Sequence, residues 1–403
     1  MRPNVLYLSY DGLTDPLGQS QILPYVLGLE KKGYEFYLIS FEKKEAFING
    51  EAVIRSIIGQ ARITWYPQLY HKNPPIVSTV IDLWRMYGCA KTLAIKQSIV
   101  LVHCRSYIPG LIGLRLKLKF GVKFLFDIRG FWANERVDGG LWNLKNPVYQ
   151  MIYRFFKKKE IEMMQHADHI ISLTHAGKEE IVSGRLFEGA HLPIPANKVS
   201  VIPCSVDLEL FDPEKIDESE KNLLKQSLGL VNVEEVFVYL GSLGTWYLLD
   251  EMLIYFKTAL MNQPNSKFLF VTKEDPQLIH AACDQVGLDL QSIIIRSANR
   301  DQVPLYLSIG TKGIFFIKPA YSKKASSAVK MGEMLAMGLD LVCNKFGDIN
   351  LHSRKDKKQF FSQFDCVEIN NDHKEKVIAE FSLKNGINSF VYVYNQLIEK
   401  SNL

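Results

Sequence analysis

Residues 236–253 read VFVYLGSLGTWYLLDEML. Val236–Leu240 is an unbroken apolar run of strand length that stops at Gly241-Ser242-Leu243-Gly244. Apolar residues at helical spacing follow over Leu248–Met261. The unit is strand, glycine turn, helix, and it decides the fold because it is a second beginning. Asn4–Tyr10 opens the chain in the same way, with a helix over Ser20–Lys32 and Gly33 as its C-terminal cap. Strand-like runs recur at Phe36–Ser40, Ala61–Tyr66, Ile99–His103, Lys123–Asp127, His169–Leu173 and Val199–Ile202. Helical patterns at Pro75–Ile95, Pro109–Lys119 and Pro147–His166 separate them. Pro203–Leu228 then turns polar, charged and proline-punctuated, as a junction between domains does. After Val236 the alternation resumes. Strands are expected at Lys267–Thr272, Ser292–Arg296, Gly313–Ile317, Leu339–Cys343 and Cys366–Ile369. Helices are expected at Pro276–Val286, Val303–Ser308, Ser327–Met337, Lys374–Phe381 and Ile387–Lys400. Such alternation predicts parallel sheets covered by helices on both faces. Two runs in tandem predict a cleft at the carboxyl ends of the strands, where ligands bind.

Length and composition agree with two domains. At 403 residues the chain exceeds one ordinary core, and 47% hydrophobic with 23% charged residues is a globular balance. The net charge of +5 is too mild to predict nucleic-acid binding, though it favours anionic partners such as phosphates, diphosphates or an acidic membrane surface. The six cysteines form no CxxC pair and match no zinc spacing, which points to small core residues and a reducing compartment. No apolar stretch is long enough to span a membrane, and the first apolar run is too short for a signal peptide.

The strongest local pattern is Ser326-Ser327-Ala328-Val329-Lys330-Met331-Gly332-Glu333, which follows an apolar strand and opens a helix. Two hydroxyls at a helix start can cap it, its free N–H groups make an anion site, and Lys330 adds a cation one turn in. Glu333 shares a face with Lys330 and can accept from ribose hydroxyls. The same spacing also describes a capped helix with a surface Lys–Glu pair. Gly241 and Gly244 let a backbone approach a phosphate or sugar, and Ser242 lies between them. Thr245 caps the next helix or donates to a ligand. A plain β–α turn fits these residues equally. Asp127-Ile128-Arg129-Gly130 ends an apolar strand with Glu135 nearby, either as ligand-holding charges or as a loop salt bridge. His103 ends the preceding strand as a cleft residue or a structural histidine. The basic run Arg154–Glu160 reads as a solvated helix face or a membrane-facing one. The loop Asp11–Gln19 carries Gly18 ahead of a helix but no GxGxxG, and no GxxxxGK[ST] occurs. The usual nicotinamide, flavin and P-loop enzymes are thereby disfavoured. No Asp-x-Asp pair is present to hold a sugar diphosphate through a metal.

These stretches together resemble the retaining glycosyltransferases of family 4, also called glycosyl transferases group 1. The resemblance is carried by DGLTDPLGQSQILPY, by HADHIISLT followed by VIPCSVDLELFDP, by GSLGTWYLLDEML and by SKKASSAVKMGEMLAMGLDLVCN, and covers nearly the whole chain. It implies the GT-B fold: two Rossmann-like α/β domains with parallel sheets facing across a cleft. It also implies a nucleoside diphosphate sugar donor, a glycan or lipid-linked acceptor, retention, and no cofactor or metal. Glu333 matches the second glutamate of the family's Glu-x7-Glu motif, which holds the ribose. Gly18 matches the loop glycine near the donor phosphates, and Arg129-Gly130 stands where many members have His-Gly near the reacting sugar. Ala325 replaces the first glutamate. The family's basic residues after the Gly241 strand fall near Ser242 and Tyr247, so that Lys273, Lys318, Lys323, Lys324 or Lys330 must supply the charge.

The expected domains are 1–205 on the acceptor side and 206–385 on the nucleotide side, with a C-terminal helix from about 386 to 403 packing back on the first. The expected site comprises Arg129, His103 and Asp127 for catalysis. Gly18, Gly241, Ser242, Gly244, Thr245, Lys273, Ser326, Ser327, Lys330 and Glu333 are expected around the donor. The chain is expected in the cytoplasm, peripheral at the inner face of the membrane. A non-catalytic nucleotide-sugar-binding subunit and a sugar-nucleotide epimerase of the same fold are the alternatives.

Overall fold

The computed structural model describes residues 2–186, 194–349, 359–361, 364–369 and 374–399. The chain forms two compact units. One comprises Met1–Cys204, Tyr321–Ser327 and Leu383–Leu403, and the other Ser205–Ala320 and Ala328–Ser382.

The first unit is built on seven parallel strands: β1 (Asn4–Ser9), β2 (Glu35–Glu42), β3 (Ile63–Leu69), β4 (Ile99–Arg105), β5 (Lys123–Asp127), β6 (His169–Ser172) and β7 (Val199–Val201). Their order is β3-β2-β1-β4-β5-β6-β7. β1, β4 and β5 are buried on both faces, which is why they read as continuous apolar runs. One face is covered by helices Val77–Lys96, Tyr107–Phe120 and Pro147–His166. The other is covered by Leu23–Lys31 and by the C-terminal helix Leu383–Glu399, whose Phe390, Val393, Tyr394 and Leu397 are buried there. The last residues expected in that helix, from Lys400 on, lie outside the described residues. Helix Pro147–His166 begins with proline at its first position and Asn146 accepting from the Val148 N–H at 2.9 Å. Helices Lys44–Ile58, Trp132–Asp138 and His175–Val182 are additional to the expected set.

The second unit carries β8 (Val236–Leu240), β9 (Lys267–Val271), β10 (Ile293–Arg296), β11 (Lys312–Phe315), β12 (Asp340–Asn344), β13 (Gln359–Phe361) and β14 (Phe364–Ile369), ordered β10-β9-β8-β11-β12-β14-β13. The first five are parallel. β14 runs antiparallel to β12, and β13 antiparallel to β14, so this sheet is mixed rather than wholly parallel. A parallel neighbour needs a crossover long enough for a helix, whereas β13 and β14 are two residues apart and can only fold back. The expected helix Ser327–Met337 begins later, at Val329, with Ala328 at its N-cap and no side-chain cap. Neither serine caps it, because the Ser326 hydroxyl is engaged with Glu135 and the Ser327 hydroxyl with the Cys204 N–H. Likewise Thr245 does not cap the helix Leu249–Asn262, whose N-cap is Leu248. Among the described residues no helix is long and apolar enough to cross a membrane.

The helix Tyr107–Phe120 lies close on its sheet because Gly113 has no side chain. A Cβ there would stand 2.5 Å from Phe124 Cε2 and would also meet Cys104. Substituting Gly113→Val is expected to destabilise the first unit by about 2 kcal/mol, as overpacking does. Urea denaturation should show this as a lowered midpoint with unchanged slope.

Candidate functional site

Two polar clusters lie at the carboxyl ends of strands, one in each unit. In the first unit, β4 and β5 end side by side, with Arg105 opposite Asp127. Strand alternation puts His103, Arg105 and Asp127 on the face that the C-terminal helix covers. Asp127 is 1% exposed. Its Oδ2 lies 3.5 Å from His103 Nε2, 3.7 Å from Arg129 Nη1 and 3.9 Å from Arg105 Nη1. Burial alone raises a carboxyl pKa, but Arg129, His103 and Arg105 together outweigh it and hold Asp127 below its ordinary range. Burial also works against the charge on Arg129. Asp127 leads the groups that overcome it, so the guanidinium stays ionised.

His103 is buried between Tyr7 and Phe390, with its Nδ1 2.7 Å from the Tyr394 hydroxyl. Burial lowers its pKa, so the ring is neutral. The carboxylate facing Nε2 only accepts, which places the ring proton there and makes Tyr394 the donor to Nδ1. Arg129 has φ +55° and Gly130 φ +118°, so the chain leaves β5 through a left-handed step that a residue with a Cβ seldom adopts. Arg129 Nη2 donates to Cys204 Sγ at 3.2 Å. Thus the structure brings together Arg129, His103 and Asp127. It adds Arg105, Tyr394 and Asp11, the last 3.4 Å from Arg105 Nε.

The same unit holds Ser326 and Ser327. Ser326 Oγ donates to Glu135 at 3.5 Å, and Ser327 Oγ accepts from the Cys204 N–H at 3.2 Å. Lys323 pairs with Glu135 at 2.8 Å and Lys324 with Glu180 at 2.9 Å. Ala325 is fully buried, with its Cβ 3.0 Å from where a Cβ on Gly177 would lie. Gly18 sits inside the short helix Pro16–Gln21 rather than in a loop, and a Cβ there would come 2.7 Å from Leu13 Cα. Glycine is required by that backbone approach. The basic run Arg154–Glu160 is not a uniformly solvated face. Lys157 turns inward to Glu160, to Asn134 at 3.2 Å and to the Leu186 carbonyl at 3.0 Å.

In the second unit the centre is Lys330. It is not half of a surface pair, since Lys330 and Glu333 are 8% and 3% exposed. Its Nζ donates to the Tyr239 hydroxyl at 2.9 Å and lies 4.1 Å and 3.6 Å from the ring centroids of Tyr239 and Tyr247. Tyr239 in turn donates to the Ser242 carbonyl at 2.6 Å, and burial keeps its phenol protonated. Tyr247 is fixed by an antiparallel bridge to Ile317. Gly241, at φ +97°, passes over the lysine: a Cβ there would stand 3.6 Å from Nζ. Among the described residues no carboxylate lies within ion-pair distance of Lys330. Burial pulls its pKa well down, with Glu333 opposing. Glu333 is instead hydrogen-bonded to Arg300, which stacks over Phe211 at 4.7 Å. Ser242, Gly244 and Thr245 are exposed beyond Gly241, with Gly244 at φ +48°. Lys273 is exposed on the loop after β9, 3.5 Å from Asn299 Oδ1.

Sequence reading missed Tyr239, Arg300, Arg105 and Tyr394. The charge at the end of IVLVHCR is the signal that marks Arg105. The other three are placed by contacts between distant segments, His103 and Tyr394 being 291 residues apart.

The family model described as Glycosyltransferase Family 4 matches residues 23–210. No curated protein matches the sequence. The sucrose-phosphate synthase of Thermosynechococcus elongatus is similar in structure at 14% identity, with 99% of this chain and 100% of that one covered and a TM-score of 0.69. Anabaena HepE, solved in complex with UDP and glucose, is similar at 10% identity, 98% and 100% coverage and a TM-score of 0.66. A glycosyltransferase from Rickettsia africae ESF-5 is similar at 14% identity, 98% and 99% coverage and a TM-score of 0.64. At these identities the likeness is one of fold, and that fold is GT-B.

Because the Asp127 carboxyl is depressed in the folded state, its stabilising effect is complete above the unfolded value of about 3.9 and is lost as pH falls through the folded one. Stability should therefore fall steeply on acidification below about pH 4. Asp127→Asn should flatten that dependence and cost about 3 kcal/mol at neutral pH, since it leaves two buried arginines short of a counter-charge. Urea titrations of both proteins across this range measure the effect.

Proposed function

We propose that the protein is a glycosyltransferase that moves a sugar from a nucleoside diphosphate sugar to a hydroxyl acceptor with retention of configuration. The acceptor is a glycan or lipid-linked glycan of surface polysaccharide synthesis, met at the inner face of the cell membrane. The observation that carries the donor half is Lys330, an inward amine under Gly241 with two aromatic rings and, among the described residues, no carboxylate within ion-pair distance. Such a group is poised for an anion. In this reading the diphosphate meets Lys330 and the N–H groups at the start of the helix Val329–Ala336, while Gly241 lets it come close. Glu333, oriented by Arg300, takes the ribose hydroxyls. Ser242, Gly244, Thr245 and Lys273 border the donor. Ser326 and Ser327 precede the same helix in sequence. In the first unit, Arg129 stands near the reacting sugar, and Asp127 and His103 hold it in place. The family match over residues 23–210 and the UDP bound by HepE support this assignment.

The test is a panel of nucleotide sugars, incubated with and without lipid-linked acceptors, with nucleoside diphosphate release followed. Acceptor-dependent release is expected. Release without an acceptor would point to an epimerase or hydrolase, and binding without turnover across the panel would support the non-catalytic alternative that Ala325 favours.

The charge on Lys330 makes a second prediction. A diphosphate beside the amine raises its pKa, so binding takes up a proton, and affinity falls as pH rises through the window between the free and bound values. Tyr239, Tyr247 and Glu333 are the titratable groups facing it, and Tyr239 stays protonated through that window. Calorimetry with a nucleoside diphosphate should show this slope, and Lys330→Met should weaken binding about 100-fold and remove the pH slope. Glu333→Ala should also weaken binding without removing the pH slope.

A further inference from the structure

The helix Val77–Lys96 packs on the first sheet through Met86, Ala90 and Leu93. Its opposite face is apolar and uncovered. Val77 is 54% exposed, Val80 48%, Ile81 46% and Trp84 77%. These positions are spaced i, i+3, i+4 and i+7, so they form one stripe along the helix. Ile95 continues the line at 61% exposure. A stripe of this kind on a water-facing helix is costly, and a tryptophan at its centre is the residue type enriched at membrane–water interfaces.

The exposed charges on the helix itself have one sign. Arg85 and Lys96 flank it, Lys91 lies along it, and Lys72 stands on the loop that leads into the helix. The helix carries a single carboxylate, Asp82. That residue is buried on the far side, accepting from the Tyr10 hydroxyl at 2.9 Å and paired with His71. The exposed face of the helix therefore offers aliphatic and indole surface among its own cations. The neighbouring helix Tyr107–Phe120 extends the pattern, with Leu118 63% exposed beside Arg115 and Lys119.

We infer that the exposed face of helix Val77–Lys96 docks the protein on an anionic lipid bilayer, with Trp84 and Ile81 entering the interface and Arg85, Lys91 and Lys72 meeting lipid phosphates. The charge pattern selects this occupant. A second copy of the chain, docking through the same stripe, would set its cations against identical cations, whereas an anionic surface neutralises them. The inference does not depend on the transfer reaction, since a chain that binds vesicles and transfers nothing would keep it.

The experiment is co-sedimentation of the full chain with phosphatidylcholine vesicles and with vesicles that also contain phosphatidylglycerol. Binding is expected only to the second, and raised salt should weaken it. The double variant Ile81→Ser, Trp84→Ser alters exposed side chains, so far-ultraviolet circular dichroism should match the parent. It should bind the anionic vesicles at least about tenfold more weakly. Arg85→Glu with Lys91→Glu should do the same while leaving the tryptophan in place. No binding by the parent, equal binding to both vesicles, or full binding by the serine variant would each overturn the proposal. So would self-association in sedimentation velocity that the serine variant abolishes, which would make a second copy the occupant.

Discussion

Burying a single carboxylate constrains one end of the first sheet. Asp127 is out of water at the tip of β5, and a charge there persists only if others come to it. Arg129 must turn back immediately after the strand, and it does so through a left-handed backbone step that Gly130 continues. Arg105 must end β4 on the same face, one strand over. His103 must sit beneath, with its other nitrogen bonded to Tyr394. That last bond ties the C-terminal helix to the sheet near these charged groups. The final segment of the chain is thus part of the first unit's polar cluster and not only its cover.

The second unit solves the opposite problem. Among the described residues no carboxylate lies within ion-pair distance of the buried Lys330, and aromatic faces take the place of a counter-ion. Rings stabilise an ammonium less than a carboxylate does, and burial accordingly pulls the amine toward neutrality. The arrangement leaves the lysine's electrostatic demand unmet in the free protein. The other lysines considered for the role are differently placed: Lys323 and Lys324 are paired with Glu135 and Glu180, and Lys273 and Lys318 are exposed.

The parallel strands were legible because a strand buried on both faces must be apolar along its middle, as Val5–Leu8, Phe124–Phe126, Val236–Leu240 and Phe268–Val271 are. Lys44–Ile58 was not legible as a helix. Ile48, Val53 and Ile57 are exposed, so its apolar residues do not gather on one face, Gly50 interrupts it, and only Ile54 and Ile58 are buried. β13 was hidden because it is only three residues long, whereas a strand was expected at Cys366–Ile369, within β14. In the site, a cation one turn into a helix could be read from Lys330, and the charged end of β5 from Asp127 and Arg129. Burial could not. Whether Lys330 faces water or two tyrosines depends on Tyr239, 91 positions away, and on how Ile317 holds Tyr247. The serines misled because local capping rules see Ser326-Ser327 before a helix, whereas both hydroxyls are engaged within the first unit.

The departures from the family pattern are connected. Position 325, where the resemblance calls for a glutamate, is fully buried with Gly177 beneath it, and alanine is the side chain that fits. A glutamate there would need both volume and a cation, while Lys323 and Lys324 beside it already pair with Glu135 and Glu180. Where the resemblance calls for basic residues after β8, the chain has Ser242 and Tyr247. The carbonyl of Ser242 and the ring of Tyr247 are what hold Tyr239 and Lys330. The cation of the second unit thus stands on the helix Val329–Ala336, with aromatic side chains from the β8 strand and turn packed around it. Burying that lysine carries a desolvation cost, which the rings of Tyr239 and Tyr247 and the Tyr239 hydroxyl offset only in part.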